Sequence, residues 1–136
     1  MKYPLVPRIT MEHTIAMQIV GGLALLIGIR MNISPVVFNK EIFGDVEGVD
    51  SNEMSACRMA IGGGLLALGL INLYCSFKVD DIEATKSILI GTAIGLSAFI
   101  STIVGATLRG YTARIPTAPA VILPGMILIC LYSALM

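Results

Sequence analysis

The chain has 136 residues, of which 56% are hydrophobic and 13% are charged, and its formal net charge is +0 at pH 7. A chain of this length predicts one domain, residues 1–136, and its composition is typical of a membrane protein rather than a soluble globular one. No excess of basic residues indicates a nucleic-acid partner. The three cysteines lack the CxxC spacing of a zinc site, and no metal is predicted.

Four apolar runs separate the charged residues along the chain, and each predicts a membrane-spanning helix. We place these spans at about residues 12–30, 54–77, 84–108 and 120–135, from the length that crosses a bilayer. The first loop contains a short segment, Ser34-Pro35 to Gly44, that predicts an interfacial helix. The predicted fold is therefore all-α, an integral membrane antiparallel four-helix bundle with a short interfacial helix in the first loop.

The second span carries a stripe of small and polar residues at helical spacing, made up of Arg58, Gly62, Gly69 and Asn72. The third span carries a similar stripe that includes Gly91, Gly95 and Gly105. Small residues allow two helix backbones to approach closely in lipid, so we expect these two faces to pack together. Gln18 of the first span and Asn72 are expected at similar depth, where a hydrogen bond between them would be worth about 0.6–2 kcal/mol. We expect a structural role for these two residues, and the alternative is a substrate site.

Three arginines are predicted at the same face of the membrane. Arg30 ends the first span, Arg58 begins the second and Arg109 ends the third. One interpretation is a pocket in which guanidinium groups bind an anionic headgroup or a carboxylate. The alternative is that these arginines extend to the interface and pair with acids of the first loop and with lipid phosphates.

His13 is the only histidine and lies at the start of the first span. It is a candidate ligand for a haem or a pigment, and the alternative is a solvated interfacial histidine. No cofactor is predicted. The sequence shows no pair of carboxylates within a span, no HExxH and no phosphate-binding glycine loop, so we expect a protein that is not an enzyme.

The run ACRMAIGGGLLALGL, after a first span ending in GIRMNISP, resembles a group of small bacterial four-span membrane proteins of unknown function. The shared feature is an arginine a few residues before a glycine pair in the second span, here Arg58 before Gly62 and Gly63. This chain departs from the pattern in its late third-span arginine, Arg109, and in a fourth span without acidic residues. The resemblance implies a four-helix fold and no particular activity.

The expected function is that of a small, non-catalytic accessory or scaffold subunit of a larger membrane complex. One alternative is a protein that binds a lipid or a small amphiphile through the arginines, and another is a pigment- or haem-associated subunit. The expected partners are membrane lipids and other membrane subunits or further copies of the chain. Basic residues are nearly balanced between the two predicted sides of the membrane, so orientation is not predicted.

Overall fold

The computed structural model describes residues 5–112 and 115–136, with side chains described from His13 onward. These residues form five α-helices and no strand: α1 (Leu5–Ile33), α2 (Pro35–Phe43), α3 (Asn52–Lys78), α4 (Ile82–Leu108) and α5 (Thr117–Leu135). Four segments are long and apolar enough to cross a membrane, namely His13–Ile33, Asn52–Lys78, Ile82–Leu108 and Thr117–Leu135. The predicted all-α fold with four spans is confirmed, and α2 is the short helix expected in the first loop.

Side chains and a glycine fix where the helices begin and end. The Asp81 carboxylate accepts a hydrogen bond from the Ala84 amide at 2.8 Å, which caps the start of α4. The Ser51 hydroxyl accepts one from the Met54 amide at 3.2 Å before α3. Helix α2 ends at Gly44, whose φ of 77° suits glycine and whose amide donates to the Lys40 carbonyl at 2.8 Å.

The chain divides into two compact units. One, here called the loop unit, is residues 21–71, and the other, here called the terminal unit, is residues 1–20 with residues 72–136. Helices α1 and α3 each contribute to both units. The expectation of a single domain stays a prediction.

In the terminal unit, α4 packs against α5. Large apolar side chains of α4, such as Leu89 and Leu96, are buried together with Met126 and Cys130 of α5. The complete buried face of α4 consists of Thr85, Leu89, Thr92, Ala93 and Leu96. These positions recur every three or four residues, so one side of the helix forms the core of this unit.

In the loop unit, the second part of α1 runs antiparallel to α3. Gly28 of α1 lies beside Gly62 of α3, and Gly21 lies beside Gly69, so numbers rise along one helix as they fall along the other. Both pairs are seven residues apart along their helices, which keeps them on one face. Ala24, Met31 and Leu65 are buried in the same unit.

Candidate functional site

The contact between α1 and α3 depends on glycine. A Cβ added at Gly62 would lie 2.6 Å from Asn32 Nδ2 and 2.7 Å from Met31 Cβ. A Cβ added at Gly69 would lie 2.7 Å from the Gly21 carbonyl oxygen. Real side chains do not tolerate such distances, so these positions accept only a hydrogen atom and the two backbones meet directly.

The expected pairing of the second and third spans through their glycines is wrong. Gly62 and Gly69 face α1, whereas Gly91 and Gly95 of α4 are exposed. At Gly91, Gly95 and Gly105, a Cβ would meet no described atom within 4 Å. The reason is that α4 directs its opposite face, with Leu89 and Leu96, toward the core of its unit.

The hydrogen bond considered between Gln18 and Asn72 stays a prediction. Asn72 is buried, and its Nδ2 donates to the Thr92 hydroxyl of α4 at 3.2 Å. The Thr92 hydroxyl also donates to the Ile88 carbonyl at 2.8 Å. Gln18 is half-buried on α1.

Helix α2 supplies the partners of two of the three predicted arginines. The Arg58 Nε donates to Asn39 Oδ1 at 2.7 Å, and the Arg58 guanidinium carbon lies 5.3 Å from the centre of the Phe38 ring. The Phe43 ring is 5.7 Å from the same carbon. Arg30 lies 5.8 Å from the Phe38 ring and forms an ion pair with Glu41. The structure therefore brings Arg30 and Arg58 to one aromatic ring.

Arg109 belongs to the terminal unit, where it caps the end of α4. Its guanidinium carbon lies 5.0 Å from the centre of the Tyr111 ring, and its Nη2 donates to the Tyr111 hydroxyl at 3.1 Å. The described contacts of Arg109 are thus with its own neighbourhood in the chain.

Among the described residues, Glu41 is the acid of the first loop that pairs with one of the three predicted arginines, and that arginine is Arg30. In the described parts of the chain, the ion pairs are Arg30 with Glu41 and Lys86 with Glu83. The other acids of the first loop are exposed and form no ion pair with any side chain that the structure describes: Asp45, Glu47, Asp50 and Glu53. The described residues also contain no group of histidine, cysteine and acidic side chains that could hold a metal.

Sequence reasoning missed the contribution of Phe38, Asn39 and Phe43. They lie in α2, and the only available signal was that this segment is an amphipathic helix next to Arg30. Asn39 is fully buried, and its Nδ2 has no hydrogen-bond partner within the described residues. The Asn39 amide nitrogen and the Arg58 guanidinium are both hydrogen-bond donors, and the only acceptor among them, Asn39 Oδ1, is already used by Arg58. The free groups of these two side chains can therefore only donate hydrogen bonds.

His13 is fully buried on α1, so the alternative of a solvated interfacial histidine is wrong. Neither ring nitrogen has a hydrogen-bond partner in the part of the chain that the structure describes. A role as a pigment or haem ligand stays a prediction, and the absorption spectrum of the purified protein tests it.

We compared the chain with protein family models, with curated proteins and with solved structures, and none of them matches it. The resemblance suggested by Arg58 and the following glycines is therefore not supported by a family model.

Proposed function

We propose that the protein is a non-catalytic accessory or scaffold subunit that binds a transmembrane helix of another membrane protein along α4. The observation that supports this proposal is the open face of α4, defined here as Ser87, Gly91, Gly95, Ala98, Thr102 and Gly105. All of these residues are exposed except Gly105, which is half-buried. They follow the spacing of three and four residues that keeps positions on one side of a helix.

The contact between α1 and α3 indicates what such a face does when it has a partner. There, glycines seven residues apart allow the backbone of one helix to touch the other. Lipid chains are as apolar as the helices, so association in a bilayer depends on van der Waals packing and on interhelical hydrogen bonds. A face of small residues offers both close packing and a low side-chain entropy cost.

The hydroxyl groups on the open face suit a helix-packing surface better than a catalytic site. The Ser87 hydroxyl donates to the Glu83 carbonyl at 2.9 Å, and the Thr102 hydroxyl donates to the Phe99 carbonyl at 2.6 Å. Both are satisfied by their own helix, so they enter an apolar contact without leaving a polar group unpaired.

Purification from native membranes in a mild detergent tests the proposal. We expect the wild-type protein to co-purify with another membrane protein at a fixed ratio, and a Gly95→Leu variant to lose that partner. Gly63→Leu is the matched control, because Gly63 is an exposed α3 glycine beside which a Cβ meets nothing within 4 Å. The Gly63→Leu variant should still co-purify with the partner protein.

Migration of the wild-type protein as a lone monomer would overturn the proposal. Assembly only with further copies of itself would overturn the accessory role and assign the open face to self-association. Loss of the partner in both glycine variants would show that the contact does not use this face of α4.

A further inference from the structure

We infer that Arg58 binds the phosphate group of a membrane phospholipid, at a site formed by Arg58 with Phe38, Asn39 and Phe43 of α2. This headgroup site, defined by these four residues, lies within the loop unit. The inference is independent of the proposed function, since it uses none of the residues of the open face of α4.

The unused donors of Arg58 carry the inference. Its Nε donates to Asn39 Oδ1, but its two terminal nitrogens have no acceptor in the described residues, and no carboxylate pairs with it. A guanidinium group carries five N–H donors in a planar fork, and this fork matches two oxygens of a phosphate. Arg58 is half-buried, so it lies at the surface with these donors still reachable.

Asn39 adds a second and independent observation. It is fully buried, and its Nδ2 has no hydrogen-bond partner in the described part of the chain. A buried donor without a hydrogen-bond partner is unfavourable, and a bound oxyanion would remove that penalty. Since Asn39 Oδ1 is already held by Arg58, the amide nitrogen lies in the immediate surroundings of the same guanidinium.

The two phenylalanines place the guanidinium in an apolar setting. Their ring centres lie 5.3 Å and 5.7 Å from the Arg58 guanidinium carbon, within cation–π range. Rings that replace water around a charge lower the local dielectric constant and strengthen its hydrogen bonds to an anion. They also hold the side chain in one orientation before the ligand arrives.

The depth of Arg58 in the membrane identifies a lipid as the source of the phosphate. Helix α3 has 27 residues, and at 1.5 Å per residue it exceeds the ~30 Å hydrocarbon core. Arg58 lies in the first two turns, which places it near the level of the headgroups. Arg30 is neutralised by Glu41, so Arg58 offers the single free positive charge of this site and matches one phosphodiester.

Native mass spectrometry of the delipidated full-length protein tests the site, with phosphatidylglycerol added in detergent. We expect one tightly bound lipid on the wild-type protein and a loss of affinity of about tenfold or more in Arg58→Leu. Arg109→Leu is the matched control, because Arg109, like Arg58, lies near one end of a span beside an aromatic ring. The lipid affinity of Arg109→Leu should be unchanged. Equal affinity of the wild type and Arg58→Leu would overturn the inference.

Two further measurements separate the alternatives. Arg58→Lys keeps the positive charge but not the planar fork of donors, so its affinity for the lipid should fall. An unchanged affinity would overturn the assignment of a bidentate contact. If Arg58→Leu loses its helical circular dichroism, the Arg58→Lys variant decides whether Arg58 binds the phosphate. Millimolar inorganic phosphate should leave the bound lipid in place. Displacement of the lipid by inorganic phosphate would overturn the assignment of a lipid ligand.

Discussion

Gly62 and Gly63 are consecutive residues of α3, yet their surroundings differ completely. A Cβ on Gly62 would lie 2.6 Å from Asn32 Nδ2 and 3.0 Å from the Gly28 carbonyl oxygen, whereas a Cβ on Gly63 would meet nothing within 4 Å. We expect Gly62→Ala to lower the free energy of unfolding in detergent by about 1–3 kcal/mol, because α1 and α3 must separate to admit the methyl group.

Gly63→Ala is the control for this prediction. The same substitution one residue later should raise the free energy of unfolding by about 0.5–1 kcal/mol, because alanine loses less backbone entropy than glycine in a helix. Unfolding followed by circular dichroism in a mixture of mild and denaturing detergents measures both variants. If the two variants were equally stable, the close contact between α1 and α3 would not exist.

The arginines show what single residues in a sequence do and do not reveal. The position of Arg58 at the start of an apolar run is enough to place it near the membrane surface. Its partners Phe38, Asn39 and Phe43 are fixed by the way the first loop folds back, and Asn39 is 19 residues away in the chain. No local pattern encodes that contact, so the headgroup site could not be predicted in full.

At the level of a helix, α4 shows that a sequence can predict which residues share a face without predicting whether that face packs inside the protein. The spacing of Gly91, Gly95 and Gly105 correctly places them on one stripe, and the same periodicity places Leu89 and Leu96 on another. In a soluble protein the polar face would reveal which stripe is outside. In a membrane helix both stripes are compatible with lipid, so periodicity alone does not tell which one packs within the chain.

Two alanines of α4 allow a direct measurement of this orientation. Ala93 is buried and Ala98 is exposed, five residues apart on the same helix. In a background in which Cys57, Cys75 and Cys130 are replaced by alanine, we expect Ala98→Cys to react slowly but measurably with a membrane-permeant maleimide in the purified protein, because apolar surroundings keep a thiol protonated. Ala93→Cys should react much more slowly, because α5 covers that face.

The two labelling rates also connect this helix to the proposed function. A partner seated on the open face should slow the labelling of Ala98→Cys in native membranes relative to the purified protein, while Ala93→Cys stays slow in both. Reaction of Ala93→Cys as fast as Ala98→Cys in the purified protein would mean that the buried face of α4 has been assigned incorrectly.

For the whole molecule, the number of spans is the property that the sequence predicts best. Each apolar run is long enough to cross the hydrocarbon core, and lipid leaves no other way to satisfy the backbone hydrogen bonds of such a run. The four predicted spans match the four long apolar helices. Their ends differ by a few residues, because capping side chains such as Ser51 and Asp81 determine where α3 and α4 begin. Orientation is not encoded as clearly, because basic residues are nearly balanced between the loops.

Four crossings in chain order fix the relative sides of the loops. Each crossing moves the chain to the other side of the membrane, so the loop before α3 and the loop after α4 lie on one side, and the loop between α3 and α4 lies on the other. In the background without native cysteines, Asp45→Cys and Tyr111→Cys should react with a membrane-impermeant maleimide from the same side of sealed vesicles. Asp80→Cys should react only from the opposite side. All three variants replace exposed residues, so all should react once detergent opens the vesicles.

Two labelling patterns would contradict this topology. Labelling of Asp45→Cys and Asp80→Cys from the same side would mean that α3 does not cross the bilayer. Labelling of Asp80→Cys and Tyr111→Cys from the same side would mean that α4 does not cross it.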